Sequence, residues 1–190
     1  MAWGGFDENF MLDTWLQRVN DQCVPIWPEA VRFSQDLNSD DEMIGIVPAE
    51  NGSCIALYRT GNWPDYQVRA VRATAAGNLL WDVAVGPVGL YYNETVIPDG
   101  VGGAVFGMRT EDETDFSKVR VQRLNADGEL AWPLDGLHVD STSIHQIYPD
   151  LAIDEHQNVF IAYTTWTTTG EAMRVQKVTP DGVGVGCARG

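Results

Sequence analysis

The sequence predicts an all-β fold: about four antiparallel sheets of four short strands each, repeated along 190 residues, with the outermost sheets incomplete. Three observations predict it. One segment recurs four times at near-constant spacing, a column of short apolar runs precedes each copy, and no stretch carries a convincing apolar period of 3.6 residues.

The recurring segment is clearest in Val119-Arg-Val-Gln-Arg-Leu-Asn-Ala-Asp-Gly-Glu-Leu-Ala-Trp132. It matches Trp15-Leu-Gln-Arg-Val-Asn-Asp-Gln-Cys-Val-Pro-Ile-Trp27 without a gap. The same frame returns at Val68 to Trp81 and at Met173 to Gly182, so the copies lie 51 to 54 residues apart. The preceding apolar runs are Ser53–Tyr58, Ala104–Arg109 and Val159–Thr164, with Met1–Trp3 in the same place. Their small residues Ala2, Ala56, Gly107 and Ala162 are read as one column, marking a strand crowded by a neighbouring sheet.

Upstream of these runs, Ile44–Val47, Thr95–Ile97 and Leu151–Ile153 supply a further strand, and the segments through Trp27, Trp81 and Trp132 supply the fourth. The four are termed a to d in chain order. Asn125-Ala-Asp-Gly128 and Thr179-Pro-Asp-Gly182 predict tight c–d turns with Gly128 and Gly182 at positive φ. Thr74-Ala-Ala-Gly77 reads as a looser version. Cys23 stands at the glycine position of the first copy, where positive φ costs about 1–2 kcal/mol, so that copy is expected to turn differently.

Four-stranded antiparallel units at this period are the blades of a β-propeller. The whole of 1–190 then reads as one repeat region: a partial blade at 1–27, blades at 28–81 and 82–132, and a last blade at 133–190 whose final strand is partial. Val71 replaces the repeat glutamine, and Gly186 stands where the last tryptophan belongs. Apolar columns continue into both terminal sheets with no polar capping repeat. The chain is therefore read as part of a larger propeller or as self-associating, with contacts through 1–27 and 159–186 rather than through the acidic loops.

Composition excludes whole classes of partner. Acidic residues outnumber basic ones 27 to 12, a net charge of −15 that repels nucleic acid and anionic membrane surfaces. No apolar run approaches the ~20 residues of a membrane span. The N-terminus lacks the basic and apolar regions of a signal peptide, so an export signal is expected outside this chain. Three cysteines, Cys23, Cys54 and Cys187, allow at most one bridge, and His138, His145 and His156 fall in no metal-ligand spacing. No phosphate-binding loop, nucleophile elbow or dinucleotide fingerprint is present, and neither a cofactor, a metal nor a catalytic residue is assigned.

Seven of the basic residues sit in two columns, Arg18/Arg72/Arg123/Lys177 and Arg69/Arg120/Arg174, and are read as covering neighbouring sheets and meeting carboxylates. The regular tryptophans are read as packing residues. Function is sought at the end of the sheets where the b–c and d–a connections lie, which are read as long loops. That end gathers Trp63, Tyr66, Tyr91, Tyr92, Glu111, Asp112 and Trp166 as candidate ligand-binding residues, with Asp40, Asp41, Asp65, Glu113, Phe116, Ser143 and His145 nearby. Aromatics beside carboxylates suit sugar stacking with hydroxyl recognition, or a weak Ca²⁺ site built from oxygens.

The pattern Gln-Arg-hydrophobic-x-x-x-Gly-x-x-x-Trp, followed by a Gly-Val-x-Val-like strand and a later Gly-Gly-apolar run, resembles the repeats of large bacterial secreted β-propeller proteins. The resemblance covers nearly the whole chain and implies a scaffold in an extracellular setting rather than an activity. The reading is a non-catalytic extracellular binding or structural module whose partner is a glycan or another protein. The alternative is a polysaccharide-active enzyme using loop carboxylates.

Overall fold

The computed structural model describes residues 1–6, 11–33, 39–89, 91–111, 117–141, 145–167 and 170–185. Among them the chain is all-β, with one short 3-10 turn at Glu50–Gly52 and four antiparallel sheets. The first sheet joins β1 (Ala2–Phe6), β2 (Leu12–Leu16) and β3 (Val31–Arg32). The second joins β4 (Asp40–Pro48), β5 (Cys54–Asn62), β6 (Asp65–Ala73) and β7 (Leu79–Ala84). The third joins β8 (Tyr91–Pro98), β9 (Ala104–Glu111), β10 (Ser117–Leu124) and β11 (Leu137–His138). The fourth joins β12 (His145–Ile153), β13 (Val159–Thr167), β14 (Gly170–Val178) and β15 (Gly184–Val185). Within each sheet the strands pair in chain order, because every connection is short enough to return the chain antiparallel to its predecessor.

Period-two patterning gives every inner sheet two apolar faces, and three clusters fill the junctions. Leu16 and Phe33 of the first sheet meet Ala56, Tyr58 and Val71 of the second. Ile55, Leu57, Val68 and Ala70 on the second sheet's other face meet Phe106 and Met108 of the third. Val119 and Val121 of the third meet Val159, Ile161 and Tyr163 of the fourth. Strands β4, β8 and β12 each carry a register shift near one end, at Met43/Gly45, Tyr92/Thr95 and Ile147/Asp150. A bulge bends a strand locally, and at the first of them Gly45 lies so close to Val96 that a Cβ would come within 2.6 Å of its side chain.

All four c–d turns share one hydrogen-bond pattern. The amides of Asn20, Thr74, Asn125 and Thr179 donate to the carbonyls of Val24, Asn78, Glu129 and Val183 at 2.9–3.0 Å. Those of Cys23, Gly77, Gly128 and Gly182 donate back to the first residue of each turn at 2.9–3.2 Å. Gly128 and Gly182 have φ of 90° and 82°, as the turn type requires. The expectations of a different first turn and a looser one at 74–77 are corrected: Cys23 adopts φ 60° in the same turn. Asn20 explains why, since its Oδ1 accepts from the amides of Gln22 and Val24 at 3.0 and 2.9 Å, as Asn125 does for Asp127 and Glu129.

The fourth strand departs from expectation in the first and third sheets. It forms beyond Trp27 and Trp132, at β3 and β11, and only in the second sheet does it run through the tryptophan, with Trp81 opposite Arg72. The residue after each tryptophan decides this. Pro28 and Pro133 have no amide to offer a ladder, whereas Asp82 continues the strand. The repeat glutamine compensates for the missing ladder. Gln17 donates to the Trp27 carbonyl at 3.3 Å and accepts from its amide at 3.2 Å, and Gln122 donates to the Pro133 carbonyl at 2.6 Å. Val71 stands in the one copy whose tryptophan is paired directly, so no glutamine is needed there.

The small-residue column is also corrected at one place. Ala2, Gly107 and Ala162 pair with Leu16, Val121 and Val175, but in the second sheet the residue at that register is Leu57, opposite Ala70, not Ala56. Crowding is real at Gly107, where a Cβ would meet Thr95, Pro149 and Leu151 at 3.0–3.4 Å.

Candidate functional site

Side chains that join one sheet to the next show which ends of the sheets lie together. The indole Nε1 of Trp27 donates to the Ala75 carbonyl at 2.9 Å, that of Trp81 to Ala126 at 3.2 Å, and that of Trp132 to Pro180 at 3.2 Å. Each acceptor is the second residue of the next sheet's c–d turn, so the turns gather at one end. The b–c hairpins gather at the other. The first basic column works alongside: Arg18 and Arg72 donate to the same carbonyls, of Ala75 and Ala126, and Arg123 reaches Asp99 and Gln157. The second column pairs Arg69 with Asp82 at 2.9 Å and Arg174 with Asp140 at 3.6 Å, and sends Arg120 to the Asp135 carbonyl. Both columns serve the scaffold.

The hairpin end is smaller than a long-loop face. Strands β5 and β6 run nine residues each and leave only Trp63 and Pro64 between them, and β13 and β14 are separated by two residues. Strand pairing extends through residues that read as loop, because continued ladder bonds satisfy amides that a loop would leave to water.

Trp63 sits at the tip of the β5–β6 hairpin and is 71% exposed. Tyr66, at the start of β6, lies half-buried under the Arg59 guanidinium, 4.6 Å from the ring centre. Arg59 bridges two carboxylates on neighbouring sheets, pairing closely with Glu42 of β4 and at 3.9 Å with Glu94 of β8. Burial pushes the Glu94 carboxyl above the usual carboxylate range, Arg59 draws it down and Glu42 raises it. At the next junction Arg109, in the same register column as Arg59, covers the Tyr92 ring at 5.1 Å, pairs with Glu111 at 3.3 Å and donates to Ser117 Oγ at 2.9 Å.

Tyr91 occupies β8 opposite Thr110. Trp166 of β13 lies opposite His145 of β12, with their rings 6.1 Å apart, and is 49% exposed. Asp65 closes the β5–β6 hairpin opposite Asn62. Asp40 accepts the Leu12 amide at 2.9 Å, and Asp41 is buried, its backbone carbonyl taking the Thr14 hydroxyl. Asp112, Glu113, Phe116 and Ser143 lie outside the described residues.

The structure thus brings Tyr92 and Glu111 together around Arg109 and gives Tyr66 a separate cation, while Trp63 and Trp166 stand apart on their own hairpins. Sequence reasoning missed Arg59, Arg109, Glu42 and Glu94. The available signal was the alternation continuing past Tyr58, which puts Arg59 on the same face as Leu57. Among the described residues no group of three or more His, Cys, Asp or Glu is placed to hold a metal ion, and the loop carboxylates Asp112 and Glu113 lie outside them.

No family model matches the chain, and no curated protein matches it. Among solved structures, the crystal structure of endo-arabinase from Bacteroides thetaiotaomicron VPI-5482 is similar at 12% identity and a TM-score of 0.47, over 96% of this chain and 72% of that one. That likeness is too slight to carry an argument about fold or activity.

Proposed function

We propose that the chain is a run of β-propeller blades that works outside the cell as a non-catalytic binding or structural module, with the hairpin end as its ligand surface and a glycan as the ligand. The propeller reading rests on the repeated strand order, on the packing of β8 between β4 and β12, and on the three identical tryptophan contacts between successive sheets. The extracellular setting rests on the resemblance of the repeats to secreted bacterial proteins. One observation carries the binding reading. At the hairpin end the described cations and several of the carboxylates are engaged with each other, whereas two indoles, Trp63 and Trp166, remain open to solvent. An exposed indole offers a flat apolar face to a sugar ring and an N–H to its hydroxyls.

A glycan array followed by titration of tryptophan fluorescence tests this. Binding that is lost in Trp63→Ala or Trp166→Ala supports the glycan ligand, and silence across a broad array removes it and leaves the structural role. The Glu42–Arg59–Glu94 group favours a second reading, a polysaccharide-active enzyme, because it holds two carboxyl groups around one guanidinium, burial pushes the Glu94 carboxyl above the usual carboxylate range, and acid–base cleavage of glycosides uses a pair of carboxyl groups. Release of reducing ends from a glycan panel, abolished by Glu94→Gln, would establish it. No turnover on that panel ends it.

A further inference from the structure

The outward faces of the first and fourth sheets are unlike every face between. Val68 and Ala70 of β6, and Val119 and Val121 of β10, are buried against the following sheet. At the same register in β14 stand Met173 and Val175, 80% and 44% exposed. At the other end Trp3 is 40% exposed, whereas Tyr58, Met108 and Tyr163 at its register are buried.

The contact between sheets has two halves. Each tryptophan lies over the glycine of the next c–d turn, so close that a Cβ on Gly77, Gly128 or Gly182 would come within 3.0–3.1 Å of the indole. A turn that receives a tryptophan therefore requires glycine. The first turn has Cys23 there, and the fourth repeat has Gly186 at the tryptophan position, four residues past Gly182. The first sheet is not built to receive an ordinary repeat, and the fourth does not offer the group that would clash. The two ends have lost opposite halves of one contact, which makes each suited to the other.

They do not meet within one chain: the apolar clusters join sheets one to two, two to three and three to four, and no cluster joins described residues of the first and fourth. We propose that two copies of the chain associate head to tail, the Met173/Val175 face of each against the Trp3 face of the other, closing a ring of eight sheets. Eight lies within the range of propeller blade numbers, and the inference rests on the propeller reading for that closure but not for which faces meet. The junction is heterologous and occurs twice about a two-fold axis. Lys177 supports it: Arg18 and Arg72 in its column donate to the next sheet's turn, and in the dimer its ammonium faces the partner's 20–23 turn, which carries Asp21.

Light scattering on the full chain at micromolar concentration tests the assembly, with a mass of twice 21.0 kDa expected. Met173→Glu and Trp3→Glu should each weaken association about a hundredfold or more, with an unchanged circular dichroism spectrum. Mixing the two variants should restore a dimer, because one intact junction remains between the unaltered tail of the Trp3 variant and the unaltered head of the Met173 variant. A 21.0 kDa wild-type monomer, or a dimer indifferent to Met173→Glu, would overturn the proposal. Neither result would touch the glycan reading, which is decided by binding to the chain in whatever state it is found.

Discussion

Strands β10 and β14 hold the same place in consecutive repeats and share the core Arg-Val-Gln, yet β10 is buried along nearly its whole length and β14 is exposed over its first four residues. Local sequence does not separate them, since both alternate and both pair fully with the preceding strand. The difference is the neighbour: the fourth sheet covers the third, and among the described residues no sheet covers the outer face of the fourth. Backbone pairing makes a strand, but only a second layer turns its apolar side chains into stabilisation.

The largest test of that contrast places a carboxylate at one register in both strands. Val121→Asp should cost about 3–5 kcal/mol or prevent folding, because the charge enters a dry junction without a partner. Val175→Asp should change the unfolding free energy of the dilute, dissociated chain, read from a urea titration, by less than about 1 kcal/mol. Equal effects in denaturant titration would mean that β14 is covered in the free chain.

Next in size is the contact itself. Trp132→Ala removes a buried indole and its hydrogen bond to Pro180 and should cost about 3–5 kcal/mol. The same change at Trp63, on the exposed hairpin, should leave thermal stability within about 0.5 kcal/mol. Gly128→Val should cost about 1–2 kcal/mol from positive φ alone, and more because the new side chain collides with Trp81. Cys23→Gly, in the turn no tryptophan of this chain covers, should shift stability by less than about 1 kcal/mol. An unchanged midpoint for Gly128→Val would contradict the shared turn.

The smallest effect lies at the hairpin end. Burial raises the Glu94 carboxyl pKa above its unfolded value, so folding favours the protonated form. The stability it supports is full below the unfolded pKa and is lost as pH rises through the folded one. Glu94→Gln, neutral at every pH, should therefore unfold at higher denaturant than wild type at pH 7 and lose that advantage toward pH 4. The opposite trend would show that the Arg59 pairing outweighs burial.

Much of the strand plan was readable in residues: the repeat segments run through β6, β10 and β14, whereas in the first copy β2 ends at Leu16, just before Gln17-Arg18, and the glycine turns join c to d where expected. The candidate site was half readable. Connectivity sent Trp63, Tyr66, Tyr92 and Trp166 to one end, but Arg59 and Arg109 cover rings that adjacency does not indicate, and Glu94 meets Arg59 from another sheet. Register decides such meetings, and a slip of one residue, as between Ala56 and Leu57, exchanges the two faces of a strand.

By itself the sequence determined the period, the strand order, the turns ending in Gly128 and Gly182, and the break in the ladder at Pro28 and Pro133. Each of these follows from interactions within a few residues or across one hairpin: alternation, a side chain bracketing its own turn, or a proline with no amide to give. Tertiary structure alone decided that the glycines serve the tryptophan above as well as the turn, and that Met173 and Val175 face solvent while Val119 and Val121 do not. These depend on what packs from another sheet, where neighbours are some fifty residues apart in sequence and only the assembled layers bring them within van der Waals reach.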